Sequence, residues 1–195
     1  MRKIAITGNI GSGKTTVCNI LKKIGYKVFE CDLEVKKLYK TIKLKSEVRK
    51  MLGHKISNLF FLNGRINKQA LSDYIFSRPD DLRNLEKLIY KSLSEMKKEF
   101  CTKNRKENVI FFDIPLLFEK KMENAYDQII YLKVEKAIQK KRVLKRKNID
   151  ENKYKSIIKN QTDFSYSDRI SLLIDTGRDK KTIKKELLEH LNSFK

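Results

Sequence analysis

One segment, Gly8-Asn9-Ile10-Gly11-Ser12-Gly13-Lys14-Thr15, constrains this chain more than any other. It fits the spacing GxxxxGK[ST], in which glycines let the backbone curl around a phosphate so that successive N–H groups point at the anion. A helix N-terminus behind the curl adds the positive end of its dipole. The flanks meet that requirement. Residues 3–8 form a short apolar run ending in glycine, and Thr16-Val17-Cys18-Asn19-Ile20-Leu21 carries apolar side chains at helical spacing. The segment therefore reads as strand, loop and helix. Lys14 is placed to reach the outer phosphates of a nucleotide and the Thr15 hydroxyl to ligate Mg²⁺, with Gly11, Ser12, Gly13 and Thr16 completing the cradle.

The rest of the chain alternates around this unit. Gly25 closes the first helix, and residues 26–30 read as a second strand running into Cys31-Asp32. From residue 33 to about 61 the pattern is mostly helical and then irregular, and Leu62-Asn63-Gly64-Arg65 signals a turn. Residues 70–76 and 82–100 place apolar side chains at three- and four-residue steps, and Pro79-Asp80-Asp81 suits a helix start. This middle third offers no strand as strong as its neighbours, so a helical insertion that binds the acceptor is expected. Val109-Ile110-Phe111-Phe112 and residues 128–132 are continuous apolar runs, as in strands covered on both faces. A strongly basic helix over 135–147, a second helix over 150–161, a strand over 170–174 and an amphipathic helix over 180–194 follow. The pattern predicts an α/β fold: a parallel five-stranded sheet with helices on both faces, the helical acceptor-binding insertion, and a helical lid. The matching boundaries are 1–32, 108–134 and 163–195 for a nucleotide-binding core, 33–107 for the insertion and 135–162 for the lid.

Composition removes several alternatives. At 195 residues the chain suits one compact domain, or a core with one inserted subdomain. Cys18, Cys31 and Cys101 form no CxxC pair and read as packed small hydrophobes in a reducing compartment. The start of the chain lacks the apolar region of a signal peptide, and no stretch approaches a membrane span. A soluble cytoplasmic protein, monomeric or a small homo-oligomer, is expected. The net charge of +21 invites a nucleic-acid partner. Yet 35 of the 45 basic residues are Lys, spread over most of the expected helices, with no RNA-recognition motif, zinc-finger spacing or aromatic stacking pattern. No specific nucleic-acid partner is therefore expected.

Four further residues carry candidate chemistry. Asp113 stands at the carboxyl end of the run 109–112, where a second carboxylate can orient Mg²⁺ directly or through water. Asp32 lies just past the second strand, and ligands of open parallel sheets bind outside the carboxyl ends of the strands. There it can take the proton of an attacking hydroxyl as general base, or cap the helix that follows. Arg142 and Arg146 are one helical turn apart and can bridge phosphate oxygens in a bidentate way that Lys cannot, as part of a lid over ATP. His54 and His190 read as structural.

These residues together resemble the dephospho-coenzyme A kinase family over nearly the full length. The likeness is carried by residues 4–16, by Asn63-Gly64-Arg65-Ile66, Ala70-Leu71, Ile75-Phe76, Pro79 and Leu85-Glu86, and most specifically by Asp113-Ile114-Pro115-Leu116-Leu117-Phe118-Glu119. Gln139, Arg142, Arg146 and Gln161 match the family's lid pattern. The resemblance implies that Mg-ATP donates its γ-phosphate to the ribose 3′-hydroxyl of dephospho-CoA. In that reading Lys14, Asp32 and Arg142 are catalytic, Arg146 joins Arg142 on the nucleotide, and Asp32, Pro115, Leu116, Leu117 and Glu119 meet the acceptor. The chain departs from the family's pattern at Glu30, where Asp is usual, at Tyr90-Lys91 in place of His-Pro, and at Ile170-Ser171 in place of Ala-Asp. Two other classes fit less of the chain. A kinase of another small acceptor, such as a nucleoside monophosphate or shikimate, does not require residues 115–119, and a nucleic-acid-associated ATPase would rest on the loop and the charge alone.

Overall fold

The computed structural model describes residues 1–147 and 149–192. Strand β1 (Arg2–Thr7) is the centre of a five-stranded sheet of order β2-β3-β1-β4-β5, every pair parallel. The other strands are β2 (Lys27–Glu30), β3 (Val109–Asp113), β4 (Gln128–Lys133) and β5 (Leu172–Asp175). β1 pairs with β3 on one side and β4 on the other, so both its edges are hydrogen-bonded within the sheet. Ile4, Ile6, Phe111, Ile130, Leu132 and Ile174 pack on one face against Val17, Cys18 and Leu21 of α1 (Lys14–Lys23) and Ile183, Leu187 and Leu191 of α8 (Lys180–Asn192). The alternate residues Ala5, Ile110, Phe112, Ile129 and Tyr131 are just as buried, which is why these strands read as unbroken apolar runs.

The chain forms two compact units, residues 1–30 with 104–195, and residues 31–103. The second begins with α2 (Cys31–Leu38) directly after β2 and continues through α3 (Ile42–Leu52), α4 (Lys68–Ile75) and the long α5 (Pro79–Lys103). Its own core joins Leu38, Leu44, Val48, Leu52, Leu59, Leu71 and Leu85. Thr41 and Asn67 cap α3 and α4 by accepting from Leu44 N–H and Ala70 N–H, and Pro79 opens α5 where its missing N–H costs nothing. The expected turn at 62–65 is present: Gly64 N–H donates to Phe61 O, and Phe60 and Ile66 form an isolated antiparallel bridge.

Element ends differ from the sequence pattern where apolar residues give out. The basic helix expected over 135–147 is α6 (Lys136–Leu144); beyond it come Lys145-Arg146-Lys147, and Arg146 N–H turns back to Val143 O. The helix expected over 150–161 is α7 (Glu151–Lys159), capped by Asp150, whose carboxylate accepts from Lys153 N–H. β5 starts later than residue 170 because Ile170 N–H is spent on Ser167 O in a turn. Residues 193 and 194, the end of the last expected helix, lie outside the described residues. Cys18 and Cys31 are buried, and no helix among the described residues is long and apolar enough to cross a membrane.

Candidate active site

The Gly8–Thr15 segment leaves the carboxyl end of the central strand and enters α1. Gly8 has φ 141°, and a Cβ there would stand 2.3 Å from Leu132 O, inside the main chain of β4. Gly11, at φ 76°, would bring a Cβ to 2.8 Å from Val143 Cγ2 of α6. Only glycine fits at these two points, for conformation and for space. Gly13 is the N-cap of α1 and supplies no side-chain hydrogen bond to the first turn.

The carbonyls of residues 8 to 12 each have a side-chain donor. The Lys14 ammonium donates to Gly8 O and, at 3.3 Å, to Asn9 O. Gln139 Nε2 donates to Ile10 O at 2.9 Å, Arg142 NH1 to Gly11 O at 3.4 Å, and the Thr176 hydroxyl to Ser12 O at 2.8 Å. A carbonyl held in one direction leaves the adjoining amides directed elsewhere, and a run of them makes the concave nest that anions occupy. The Ser12 hydroxyl is buried without a hydrogen bond among the described residues and stands 2.9 Å from where a Gly8 Cβ would be, so it lies within the curl of the loop. An orphaned buried hydroxyl there is a polar group that an anion oxygen in the loop would satisfy.

Around the loop the remaining side chains fall in place. Arg142 also donates from NH1 to Thr176 Oγ1 at 3.0 Å and from NH2 to Thr176 O at 2.8 Å. A guanidinium has five N–H donors, and these contacts do not exhaust it. Arg146, one turn on, is exposed. Asp113 ends β3 and is in register with Ile6 of β1 and Glu30 of β2. Its carboxylate, that of Glu30 and the Cys18 thiol have ligand atoms within 4.8 Å of one another. Burial first, then the charges of Asp113 and Glu30, push the Cys18 thiol well above its ordinary range against the pull of Lys22 and Lys14, so it stays a protonated packing group. For Mg²⁺ the donor set is suitable: a carboxylate at the end of β3 and the Thr15 hydroxyl at the start of α1 are both hard oxygen ligands.

After β3, Ile114 N–H donates to Ile6 O, and Phe118 stacks on Phe164 with ring centroids 4.9 Å apart. Leu116 and Glu119 are exposed and Pro115 half-buried, but Leu117 is 0% exposed. Leu117 therefore anchors the segment in the core rather than meeting a ligand. Asp32 is exposed in the first turn of α2, inside that helix and not ahead of it, in the second compact unit. That unit also holds a cavity of about 670 Å³ lined by Lys36, Tyr39, Lys40, Lys45, Arg65 and Lys68 among others, with no carboxylate in its wall among the described residues. Lys68 Nζ lies 4.7 Å from the centre of the Tyr39 ring.

Sequence reasoning missed Thr176 altogether and noted Gln139 and Gln161 without giving them a task. Gln161 Oε1 accepts from Ile10 N–H at 3.0 Å. Tyr131, beneath them, stands 3.5 Å from Asn9 Oδ1 and 3.4 Å from Asp163 Oδ1 and accepts from Phe164 N–H at 3.4 Å. Burial, opposed by the Phe164 N–H and reinforced by Asp163, pushes its phenol up to about 12. It is therefore protonated at neutral pH.

A parallel sheet whose central strand feeds a glycine loop, with a lysine and a hydroxyl at the head of the next helix, defines a P-loop phosphotransferase. The family model for dephospho-CoA kinase matches residues 2–174. The dephospho-CoA kinase of Bartonella henselae is 34% identical over 100% of this chain and 98% of that protein. The chain belongs to the dephospho-CoA kinase family, kinases that phosphorylate the ribose hydroxyl of dephospho-CoA. Among solved structures, TT1252 from Thermus thermophilus superposes with a TM-score of 0.82 at 23% identity, covering 98% of this chain and 96% of that one. The dephospho-CoA kinase from Campylobacter jejuni superposes with a TM-score of 0.69 at 21% identity, again over 98% and 96%. At those identities the two structures attest the fold.

Proposed function

We propose that this chain transfers the γ-phosphate of ATP to the ribose 3′-hydroxyl of dephospho-CoA, giving CoA and ADP. One observation carries the reading beyond family membership: the three successive loop carbonyls of Ile10, Gly11 and Ser12 are tied by side-chain donors from outside the loop, Gln139, Arg142 and Thr176. A loop so held needs little rearrangement when a triphosphate enters, and positioning with charge stabilisation is most of the work in phosphoryl transfer.

Lys14 exchanges its carbonyl partners for β- and γ-phosphate oxygens and follows the charge as it moves to the leaving group. Thr15 and Asp113 would hold Mg²⁺, which would supply neutralisation of the phosphate charge. Arg142, on the same side of the loop as Thr176, turns its further donors to the transferring phosphoryl group, and Arg146 binds the nucleotide beside it, the two forming part of a lid over residues 135–162. Asp32 accepts the proton of the ribose hydroxyl and aligns its oxygen for in-line attack. Pro115, Leu116 and Glu119 meet the acceptor on a segment anchored by Leu117 and Phe118. The basic cavity of the helical unit suits the acceptor's diphosphate: five cations line it, Lys36, Lys40, Lys45, Arg65 and Lys68, beside the ring of Tyr39.

The test is ADP formation by the purified protein with Mg-ATP and dephospho-CoA, shikimate or a nucleoside monophosphate offered in turn. Turnover with dephospho-CoA alone is expected. ADP released with shikimate or a nucleoside monophosphate but not with dephospho-CoA overturns the assignment.

A further inference from the structure

Two glutamines far apart in the chain take hold of one residue of the phosphate loop, gripping the peptide unit on either side of it. Gln161 Oε1 accepts from Ile10 N–H at 3.0 Å, and Gln139 Nε2 donates to Ile10 O at 2.9 Å. Ile10 lies at the turn of the loop, between Gly8, where the backbone touches β4, and Gly11, where it touches α6. A side-chain amide can ordinarily be read either way round, but here the main chain decides. Facing an N–H, Gln161 must present oxygen; facing a carbonyl, Gln139 must present nitrogen.

We propose that Gln139 and Gln161 are positioning residues for phosphoryl transfer, a clamp that fixes the two peptide planes flanking Ile10, Asn9–Ile10 and Ile10–Gly11, and so sets the direction of the loop amides before phosphate arrives. The inference rests on the loop being the ATP site. Gln139 sits in α6 and is nearly buried, with 8% of its surface exposed, and Gln161 follows the end of α7 by two residues. The stretch between them, which holds the rest of α6 and all of α7, is thus moored at both ends to the same residue. Neighbouring bonds work in the same sense: Arg142 and Thr176 hold the next two carbonyls, at Gly11 and Ser12. If either peptide flanking Ile10 turned, its glutamine bond would break, and the loop amides beside it would lose their aim at the anion. Neither glutamine needs to touch the reacting atoms for this, so their effect belongs to ATP affinity and not to the acceptor.

The polarity of the two bonds gives a test that simple packing does not pass. Gln161→Glu keeps an acceptor for Ile10 N–H, whereas Gln139→Glu sets a carboxylate against a carbonyl. Gln139→Met and Gln161→Met each remove one bond without adding charge. The dissociation constant for ATP is read by calorimetry, alongside KM for ATP, KM for dephospho-CoA, kcat and the thermal midpoint of each variant. Both Met variants are expected to weaken ATP binding several-fold with KM for dephospho-CoA unchanged. Gln161→Glu is expected to recover most of what Gln161→Met loses, and Gln139→Glu to be no better than Gln139→Met, at least about tenfold weaker than the parent. Glutamate failing at both positions, or recovering at both, overturns the clamp, as does a change confined to KM for dephospho-CoA. Should Gln139→Glu not fold, the two Met variants and Gln161→Glu decide the matter. Calorimetry with ATP alone keeps the result separate from the choice of acceptor: a parent protein that binds ATP but ignores dephospho-CoA would refute the proposed reaction and leave the clamp to stand or fall on affinity.

Discussion

Asp32→Asn is the sharpest single change to make. It preserves shape and removes the proton acceptor, so turnover is expected to fall by about 10²-fold or more while ATP affinity stays close to the parent's. Steady-state kinetics with calorimetry checks both halves, and near-normal turnover would remove Asp32 from the mechanism. Thr176→Val probes the scaffold instead. Its hydroxyl donates to Ser12 O and accepts from Arg142, and the residue is only 3% exposed. Losing it strands a carbonyl and a guanidinium donor, at a cost of about 1–3 kcal/mol, seen as a lower thermal midpoint together with a raised KM for ATP. The two residues differ in legibility. Lys14 and Thr15 stand at local spacings that chemistry dictates, and Asp32 just past a strand end, so residue order was enough to propose them. Thr176 reaches Ser12 across 164 positions, and nothing local distinguishes it from any threonine after a strand. Leu117 shows the opposite limit, because a motif can name a segment without saying which of its side chains turns inward.

The elements themselves were readable wherever burial has a period. β1, β3 and β4 are covered on both faces and appear as apolar runs; α1, α5 and α8 bury one stripe and appear at helical steps. Ends were harder to place, because the basic residues after Leu144 continue a helical composition without a buried face to hold it, and because Ile170 is apolar yet bonded into a turn. One element carries a pH dependence. His190 in α8 lies near Gln128 Oε1, at 3.2 Å, and burial holds its imidazole below the ordinary histidine range. The unfolded chain then binds the proton more readily than the folded one, so the contribution of His190 is whole above about pH 6.5 and is lost as pH falls through the lower folded value. The thermal midpoint is expected to decline between about pH 7 and 5, and to decline less in His190→Gln. Equal slopes for the two proteins would show that other groups set the acid limb.

For the whole molecule, a net charge of +21 raises the question of what it is for. Several of the cations have short-range employment, as in the Lys43–Glu95, Lys55–Asp81 and Lys140–Glu151 pairs, and five more line the cavity of the helical unit. The distribution favours a general lysine bias over a nucleic-acid footprint. ATP consumption in about 0.15 M salt is accordingly expected to be unchanged by double-stranded DNA, and Lys40→Glu with Arg65→Glu to raise KM for dephospho-CoA by about tenfold or more while sparing KM for ATP. DNA-stimulated hydrolysis that weakens steeply with added salt would reverse the first expectation, and an unchanged acceptor KM the second.

The helical unit is one unbroken stretch, leaving at Glu30 and returning at Asn104, within the link from β2 to β3. Two cuts in the gene would therefore lift it out whole, and a counterpart from a relative could be spliced in without re-threading a single strand. Asp32 would travel with that cassette while Lys14 and Thr15 stayed behind. A lineage built this way would inherit the proposed acceptor unit together with the proposed base, and could revise both without reinventing the loop proposed to grip a triphosphate.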